Sequence, residues 1–449
     1  MARMHEIIDD INIPAKNIPD LWEPYFIAAM QKYARAEETK KRFERQWFRQ
    51  LNRWLNLEDR HMDALLSAAR AIADDEQLYE WSQFVRYLIF DTKIIRDDEK
   101  RLEALLPEAE EAQTEDLFFL IAILSGADRI ISRYKLEDFE GKEIEAVFAL
   151  IPQMMDRFYH LNKHWGLKDT AYLTRLARSS LWVFESIAFE YAAAELPGDI
   201  YRNLRSGEWV MVAAPQELYN KKGRRLPAAE EAKLLHKKQK TALLIDESSL
   251  EHQEENALFK TVHSYPDDIW ESRFFHTETG GFVGNALGPD GLAHSAMRIF
   301  EAGHWERRVD AESSVLHMYV SAEDAADQER VEAAVEAALE KAAERGRKAE
   351  AVLVESWVLD PAFNSTLDEE DPLRLFAEHF RLFPLPASSK EALEEVFGSR
   401  AAKQPQRLWP EDEPLQILLK SLRSAGVRPQ VTGGYMIPEK KEHAEEDEK

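Results

Sequence analysis

Three side chains that can exchange protons lie in two apolar segments near the C-terminus. His317 and Tyr319 alternate along the run Val315–Val320, so a strand would place both on one face. Glu355 interrupts a second run, Ala351–Leu359, where a buried carboxylate is costly unless it is paired or used. If the two strands are neighbours, these side chains form one cluster. Glu355 or His317 could then accept a proton, and Tyr319 could donate one.

The same cluster also has a purely structural interpretation, which is the more common one for buried charged groups. In it, His317 is a core histidine bonded to a buried Glu355, and Tyr319 lies at an edge. Trp357 is expected on the same strand face as Glu355. Ser356 is not expected to be a nucleophile, because no G-x-S-x-G pattern surrounds it.

The segment Ser313–Pro361 contains the elements that must position this cluster. Between its two apolar runs, apolar residues repeat at helical spacing: Val331, Val335, Ala338, Leu339 and Ala342. Ser321 and Asp324 form a capping-box pair ahead of this helix, and Gly346 lies where it should end. The pattern predicts strand, crossover helix and strand, with the strands parallel. The second strand is apolar on both faces and is predicted to be central.

The rest of the chain divides into a helical first part and a mixed later part. Residues 20–105 predict helices, as do most of residues 106–195, with a passage from helix to strand at the end. Residues 196–310 predict a hairpin around Ser206-Gly207 and a Gly-rich turn region at 277–291. Beyond Pro361 the patterns predict a helix, a short strand, two helices and a final strand, followed by a disordered charged tail.

Two further clusters have a functional and a structural interpretation. The stretch Lys221–Lys240, which includes Lys237 and Lys238, could clamp phosphates or be a solvated helix. Asp156, His160 and His164 recur at i+4 spacing and could chelate a metal, although no HExxH pattern accompanies them. Chance histidines on a helix surface are the favoured interpretation, and no metal is expected.

Composition narrows the class of protein. A chain of 449 residues predicts two to four domains, and a content of 45% hydrophobic and 31% charged residues is typical of a globular protein. The chain has no apolar run long enough to span a membrane, and its N-terminus lacks a hydrophobic signal core. We therefore expect a cytoplasmic protein without a membrane partner. Without cysteine there is no thiol nucleophile or disulfide. The net charge of −25 argues against nucleic-acid binding and favours cationic partners such as amines.

The C-terminal part resembles bacterial acyltransferase-domain proteins with a GNAT-like C-terminal domain and an N-acyltransferase N-terminal domain. The likeness covers residues 296–437 and rests on ordered motifs: Leu316-His317-Met318, Glu355–Pro361 with its Ser-Trp-Val-Leu-Asp-Pro core, Leu373–Phe380, Leu415–Gly426 and Gly433-Gly434-Tyr435. A looser likeness extends back to about residue 115.

The resemblance implies a mixed sheet that holds an acyl thioester of coenzyme A between two splayed strands, where an amine attacks it. For such a reaction, the face-sharing residues Glu355, His317 and Tyr319 are the candidate catalytic residues. Ser356 and Trp357, with the basic pair Lys237 and Lys238, would bind the cofactor. Backbone N–H groups at a strand bulge could hold the oxyanion.

Three features depart from the family pattern. The pyrophosphate loop R/Q-x-x-G-x-G/A is missing, Val183–Ser186 stands where relatives carry arginine and glycine, and Tyr319 replaces a proline. These departures leave a second hypothesis open, a non-catalytic binding or scaffold protein on a decayed acyltransferase fold.

We therefore predict an α+β fold in which a helical N-terminal region precedes a GNAT-like mixed β-sheet flanked by helices. The expected divisions are a helical region (1–105), an N-acyltransferase-like region with the basic and Gly-rich insertion (106–310), the GNAT-like domain (311–438) and the tail (439–449). The expected activity is transfer of an acyl group from acyl-CoA to an amine on a small molecule or peptide. The oligomeric state and acyl length stay open.

Overall fold

A computed structural model describes residues 2–34, 36–95, 100–227, 230–234, 265, 266 and 268–438. The chain divides into two units by its internal contacts. The helical unit comprises Met1–Ala188 and Val396–Leu408, and the sheet unit comprises Phe189–Glu395 and Trp409–Lys449. The fold is α+β, with a helical N-terminus and mixed sheets, as the sequence predicts. The four sequence divisions stay predictions.

The α-helices within the described residues are α1 (Ala2–Asp10), α2 (Glu23–Ala29), α3 (Glu37–Lys40), α4 (Arg45–Leu55), α5 (Asp59–Asp74), α6 (Glu76–Asp91), α7 (Lys100–Glu103), α8 (Ala112–Leu124), α9 (Ala127–Leu136), α10 (Gly141–Asn162), α11 (Thr170–Arg178), α12 (Ala322–Ala325), α13 (Gln328–Glu344), α14 (Pro361–Asn364), α15 (Pro372–Glu378), α16 (Lys390–Phe397), α17 (Ser399–Ala402) and α18 (Pro414–Ser424). The strands are β1 (Leu181–Phe184), β2 (Ile187–Ala193), β3 (Gly198–Asn203), β4 (Trp209–Ala213), β5 (Leu218–Asn220), β6 (Ile269–Glu271), β7 (Phe274–His276), β8 (Phe282–Leu287), β9 (Ala293–Phe300), β10 (Trp305–Val309), β11 (Ser314–Tyr319), β12 (Val352–Ser356), β13 (Arg381–Phe383) and β14 (Thr432–Met436).

The helical unit is built around α8. All its residues from Asp116 to Leu124 are buried, because the apolar run LFFLIAIL gives the helix no polar face to present to water. α5 and α6 pack directly against it. The predicted passage from helix to strand is confirmed: α11 ends at Arg178 and β1 follows. Glu185 and Ser186 then form a turn in the left-handed region, with φ of 47° and 67°.

In the sheet unit, the first sheet runs in the order β2-β11-β12-β14-β13. β11 and β12 are parallel, with Leu316 beside Val352 and Met318 beside Val354. This pairing confirms the predicted strand, helix, strand unit, although the helical part is split into α12 and α13. β14 lies antiparallel to β12 on its other side, which confirms β12 as a central strand.

A second sheet of the unit runs β10-β3-β4-β8-β7, with β9 also paired to β8, and β5 and β6 form a separate pair. The predicted hairpin is present as β3 and β4, and Gly207 supplies the positive φ of 74° in its turn.

One apolar core joins the inner faces of these two sheets. The first sheet contributes Val315, Leu353, Phe383 and Tyr435, and the second contributes Ile200, Met211, Ala213, Leu287 and Val309. Since side chains alternate along a strand, His317 shares the face of Val315, and Glu355 shares the face of Leu353. The predicted catalytic residues therefore lie on the face of the first sheet that packs against the second.

Candidate active site

The parallel ladder between β11 and β12 stops before either strand ends. Its last pair is Met318 and Val354, whereas β11 continues through Tyr319 and β12 through Glu355. In a parallel ladder the next hydrogen bond would run from the Val320 N–H to the Glu355 carbonyl. The pairing of the two strands ends before that hydrogen bond would form. We call this place, defined by Tyr319, Val320 and Glu355, the ladder end.

His317 and Tyr319 are both held by β2. The His317 Nε2 atom lies 2.8 Å from the Ala193 carbonyl oxygen, and since a carbonyl only accepts, Nε2 carries the proton. The ring atom that can accept a proton is then Nδ1. The Tyr319 hydroxyl donates to Glu190 Oε2 at 3.0 Å. These bonds fix both side chains on the face predicted for them, and they give His317 a backbone carbonyl as partner in place of Glu355.

Glu355 is exposed, although it lies in the central strand of the first sheet. The expectation of a buried carboxylate at this position is wrong. Its neighbour across the sheet is Gly433, and a Cβ added there would collide with the Phe383 ring. Glycine thus lets an aromatic ring pack where a side chain would otherwise stand beside Glu355.

Two further carboxylates, which the sequence alone did not indicate, lie on the helix near this position. Glu391 and Glu395 lie one turn apart on α16. Burial raises the pKa of Glu391, and the nearby charges of Glu355, Glu395 and Glu394 raise it further, against a hydrogen bond from Ser388. The i, i+4 spacing of the two glutamates in KEALEEVF could have indicated a shared face, but not which strand it meets.

Glu395 links the ladder end to its surroundings. Its Oε2 atom accepts from the Trp357 indole nitrogen at 2.7 Å, and its Oε1 atom accepts from the Ala322 N–H at 2.8 Å. Both bonds are to elements that directly follow β12 and β11 in the chain, so one carboxylate connects the two exits from the ladder end.

The strand β12 ends earlier than the sequence predicts. Trp357 begins a 3-10 turn, Trp357–Leu359, in place of continuing the strand, because the Ser356 hydroxyl accepts from the Val358 N–H and caps that turn. The prediction that Trp357 shares the strand face of Glu355 is therefore wrong. Ser356 and Trp357 are both buried.

A buried aspartate fixes the turn that follows. Asp360 is 1% exposed; its Oδ1 atom accepts from the Ala362 N–H at 2.8 Å, and Oδ2 accepts from the Gln430 N–H at 2.5 Å. Arg224, from the start of the basic stretch, lies 3.5 Å from the same carboxylate. The sequence carried a signal for the cap, since an aspartate stands directly before Pro361. Lys237 and Lys238 lie outside the described residues.

His160 and His164 do not form the i+4 chelate with Asp156 that their spacing would allow. The helix ends at Asn162, and the left-handed residue Lys163 turns the chain away before His164. His164 Nε2 bonds Asp116 at 2.7 Å, whereas Asp156 bonds His61 at 2.9 Å. Among the described residues, no group of three or more His, Cys, Asp or Glu side chains could hold a metal ion. In the same part of the chain, no helix combines the length and the apolar character needed to cross a membrane.

Comparison with known proteins supports the resemblance. Residues 231–436, somewhat less than half of the chain, match the family model of the GNAT-like C-terminal domain, which confirms the GNAT-like character predicted for the C-terminal part. No protein of curated function matches the chain in sequence.

Two solved structures share the fold over most of the chain. An acyltransferase in complex with decanoyl-CoA superposes with a TM-score of 0.50 at 12% sequence identity, covering 87% of each chain. An acyltransferase mutant in complex with octanoyl-CoA superposes with a TM-score of 0.51 at 11% identity, covering 97% of this chain and 99% of that one. At such low identity the likeness is one of fold.

Proposed function

We propose that the protein is an acyl-CoA-dependent acyltransferase that transfers an acyl group from a coenzyme A thioester to an amine. The observation that carries the proposal is the ladder end, where two parallel strands stop pairing beside a solvent-exposed glutamate. The GNAT-like family match and the fold shared with two acyl-CoA-bound acyltransferases support the same activity.

The backbone at the ladder end suits an acyl thioester. The Val320 N–H does not continue the ladder, and we assign it as the donor to the thioester carbonyl oxygen. That bond would strengthen as negative charge develops on the oxygen during attack. An unfinished ladder therefore supplies the oxyanion donor for which a strand bulge was first expected.

Glu355 is our candidate for the general base. Glu355 first takes a proton from the ammonium group of the acceptor, and the amine nitrogen then attacks the thioester carbon. The carbon–sulfur bond breaks to release the thiolate, and the nitrogen loses its second proton to solvent. Tyr319 is proposed to protonate that thiolate. Its only O–H proton is donated to Glu190 in this structure, so the hydroxyl has to turn from Glu190 to the sulfur for this step. His317, with Nδ1 as its acceptor atom, is the second candidate base.

The cofactor contacts stay proposals of the same kind. We assign Ser356 and Trp357 to the cofactor slot. Ser356 caps the 3-10 turn that Trp357 begins, and the Trp357 indole donates to Glu395. Lys237 and Lys238 are assigned to the phosphates. The glutamates around Glu355 favour an acceptor that arrives as a cation, such as an ammonium group on a small molecule or peptide.

Release of free thiol from acyl-CoA tests the proposal. The full chain is incubated with acetyl-, octanoyl- and decanoyl-CoA and a panel of primary amines, and thermal unfolding is recorded with each CoA ester alone. We expect a rise in unfolding temperature with at least one ester and amine-dependent thiol release. Binding without release would favour the scaffold hypothesis, and neither binding nor release would contradict acyl-CoA chemistry altogether.

A further inference from the structure

One arginine of the helical unit is buried without the hydrogen bonds that its neighbours have. Arg86 lies in α6 and is 3% exposed. Its Nε and Nη1 atoms have no hydrogen-bond partner among the described residues. Burial lowers the pKa of Arg86 to about 10, which leaves the side chain charged near neutral pH. A buried charge without hydrogen bonds is strongly unfavourable unless something else supplies them.

The carboxylates near Arg86 are already bonded to other arginines. Arg42 makes a two-pronged pair with Asp128, at 2.6 and 3.0 Å. Arg129 lies 3.1 Å from Asp91. Arg129 also donates to the hydroxyl of Tyr33, the residue whose ring the Arg86 guanidinium faces, at 3.1 Å. After burial, the charges of Arg42 and Arg129 lower the pKa of Arg86 further, and the charge of Asp128 raises it. The neighbourhood thus holds three guanidinium groups and two carboxylates.

Two tyrosines, Tyr33 and Tyr79, also lie beside the Arg86 guanidinium. The Arg86 guanidinium carbon lies 4.3 Å from the centre of the Tyr33 ring, and the Tyr33 hydroxyl is fixed by donation to Asp91 at 2.5 Å. Tyr79 precedes Arg86 by seven residues and so lies on the same face of α6. Its hydroxyl is buried without a hydrogen-bond partner among the described residues. Burial raises the pKa of Tyr79 to about 12, and the nearby Arg86 charge lowers it in part, which places the two groups close together.

Arg86 and Tyr79 have buried donor groups without acceptors among the described residues, and the charged groups around them are net positive. A negatively charged oxygen would satisfy both the donors and the charge. Guanidinium groups bond carboxylates and phosphates in this way. We propose that Arg86, assisted by Tyr79, binds a small oxyanion of the phosphate or carboxylate class within the helical unit. This site is independent of the acyl-transfer proposal, because none of its residues belongs to the ladder end.

Thermal unfolding of the full chain with sodium phosphate, sodium acetate or sodium chloride at equal ionic strength tests the site. We expect phosphate or acetate to raise the unfolding temperature by roughly 5 °C over chloride at about a hundredfold the dissociation constant. The Arg86→Met variant should lose this rise. The Arg49→Met variant, which removes an exposed arginine of α4, should keep it.

The rise in unfolding temperature in phosphate, compared with the rise in acetate, identifies which oxyanion binds. An equal rise in the native chain and both variants would show a general salt effect and overturn the site. Isothermal titration of the native chain with phosphate and with acetate covers the case in which Arg86→Met does not fold. No saturable binding of either ion at millimolar concentration would overturn the proposal by itself.

Discussion

Carboxylates of the helical unit pair with basic side chains, whereas in the sheet unit the carboxylates of Glu391, Glu394 and Glu395 lie near that of Glu355 at the ladder end. In the helical unit, Asp116 bonds both His164 and Lys168. Burial lowers the pKa of Lys168, but the Asp116 and Glu115 carboxylates outweigh it and hold that pKa above its usual value.

At the ladder end, the charges that raise the pKa of Glu391 are those of Glu355, Glu394 and Glu395. Opposite charges in contact stabilise a fold and leave no group poised to exchange a proton. Like charges in contact cost stability and raise the affinity for protons and cations, which is what a catalytic site needs. On this contrast we interpret His164 and Asp116 as structural, and we propose that the chemistry takes place at the ladder end.

The largest effect that this contrast predicts is on turnover at Glu355. The Glu355→Gln variant removes the proposed base with little change of shape, so we expect kcat/KM for acyl transfer to fall about 100- to 10,000-fold. The exposed Glu369→Gln variant, in the loop before α15, is the matched control and should keep native turnover. If Glu355→Gln kept native activity, either His317 would be the base or the contrast between the helical unit and the ladder end would be wrong.

The helical unit should respond in the opposite way. Asp116→Ala leaves His164 and Lys168 without their shared carboxylate, and we expect a loss of about 2 to 3 kcal/mol in the free energy of unfolding. Turnover measured well below the unfolding temperature should stay native. Urea unfolding checks the first expectation, with the exposed Glu145→Ala variant of α10 as control. Unchanged stability with lost turnover would reverse the roles of the two regions.

A change in the packing beside Glu355 should have a smaller effect, which is on stability. An alanine at Gly433 would collide with the Phe383 ring, so Gly433→Ala should lose about 1 to 3 kcal/mol of stability. Gly141, in the first turn of α10, has nothing within 4 Å of an added Cβ. Gly141→Ala should therefore be neutral or slightly stabilising in the same denaturation experiment. Equal stability of both variants would mean that the space beside Glu355 is open.

The smallest effect is a pH dependence at Glu391. Because the folded state raises the pKa of this carboxyl above its ordinary 4.5, the stability it contributes is complete below that pH. It is lost as pH rises through the folded-state pKa. Glu391→Gln should flatten this loss and be more stable than the native chain above the window, as followed by unfolding from pH 4 upward. A variant whose pH profile matches the native one would contradict a raised pKa of Glu391, which burial and the neighbouring carboxylates together cause.

Local patterns in the sequence were enough to predict the elements of the site. Alternation placed His317 and Tyr319 on one face of β11, and helical spacing with the Ser321 cap predicted the crossover between parallel strands. The strand end at Ser356 could not be predicted in this way, since apolar residues continue to Leu359. A hydroxyl cap and a buried aspartate, each within a few residues, override the β-propensity there.

Contacts between segments that are distant in the chain could not be predicted from the sequence. The exposure of Glu355 depends on Gly433, 78 positions later in the chain, and on the ring of Phe383. The approach of Glu391 and Glu395 depends on how α16 packs, which no periodicity within that helix specifies. Long-range packing therefore decides which carboxylates meet.

A crystal structure of the full chain with a non-reactive 2-oxoalkyl thioether of coenzyme A, in which a methylene separates the sulfur from a retained carbonyl, tests the central claim most directly. The account predicts the acyl–sulfur segment between the ends of β11 and β12, with its carbonyl oxygen accepting from the Val320 N–H and its acyl carbon beside Glu355. An analogue bound elsewhere, with Val320 and Glu355 untouched, would contradict it.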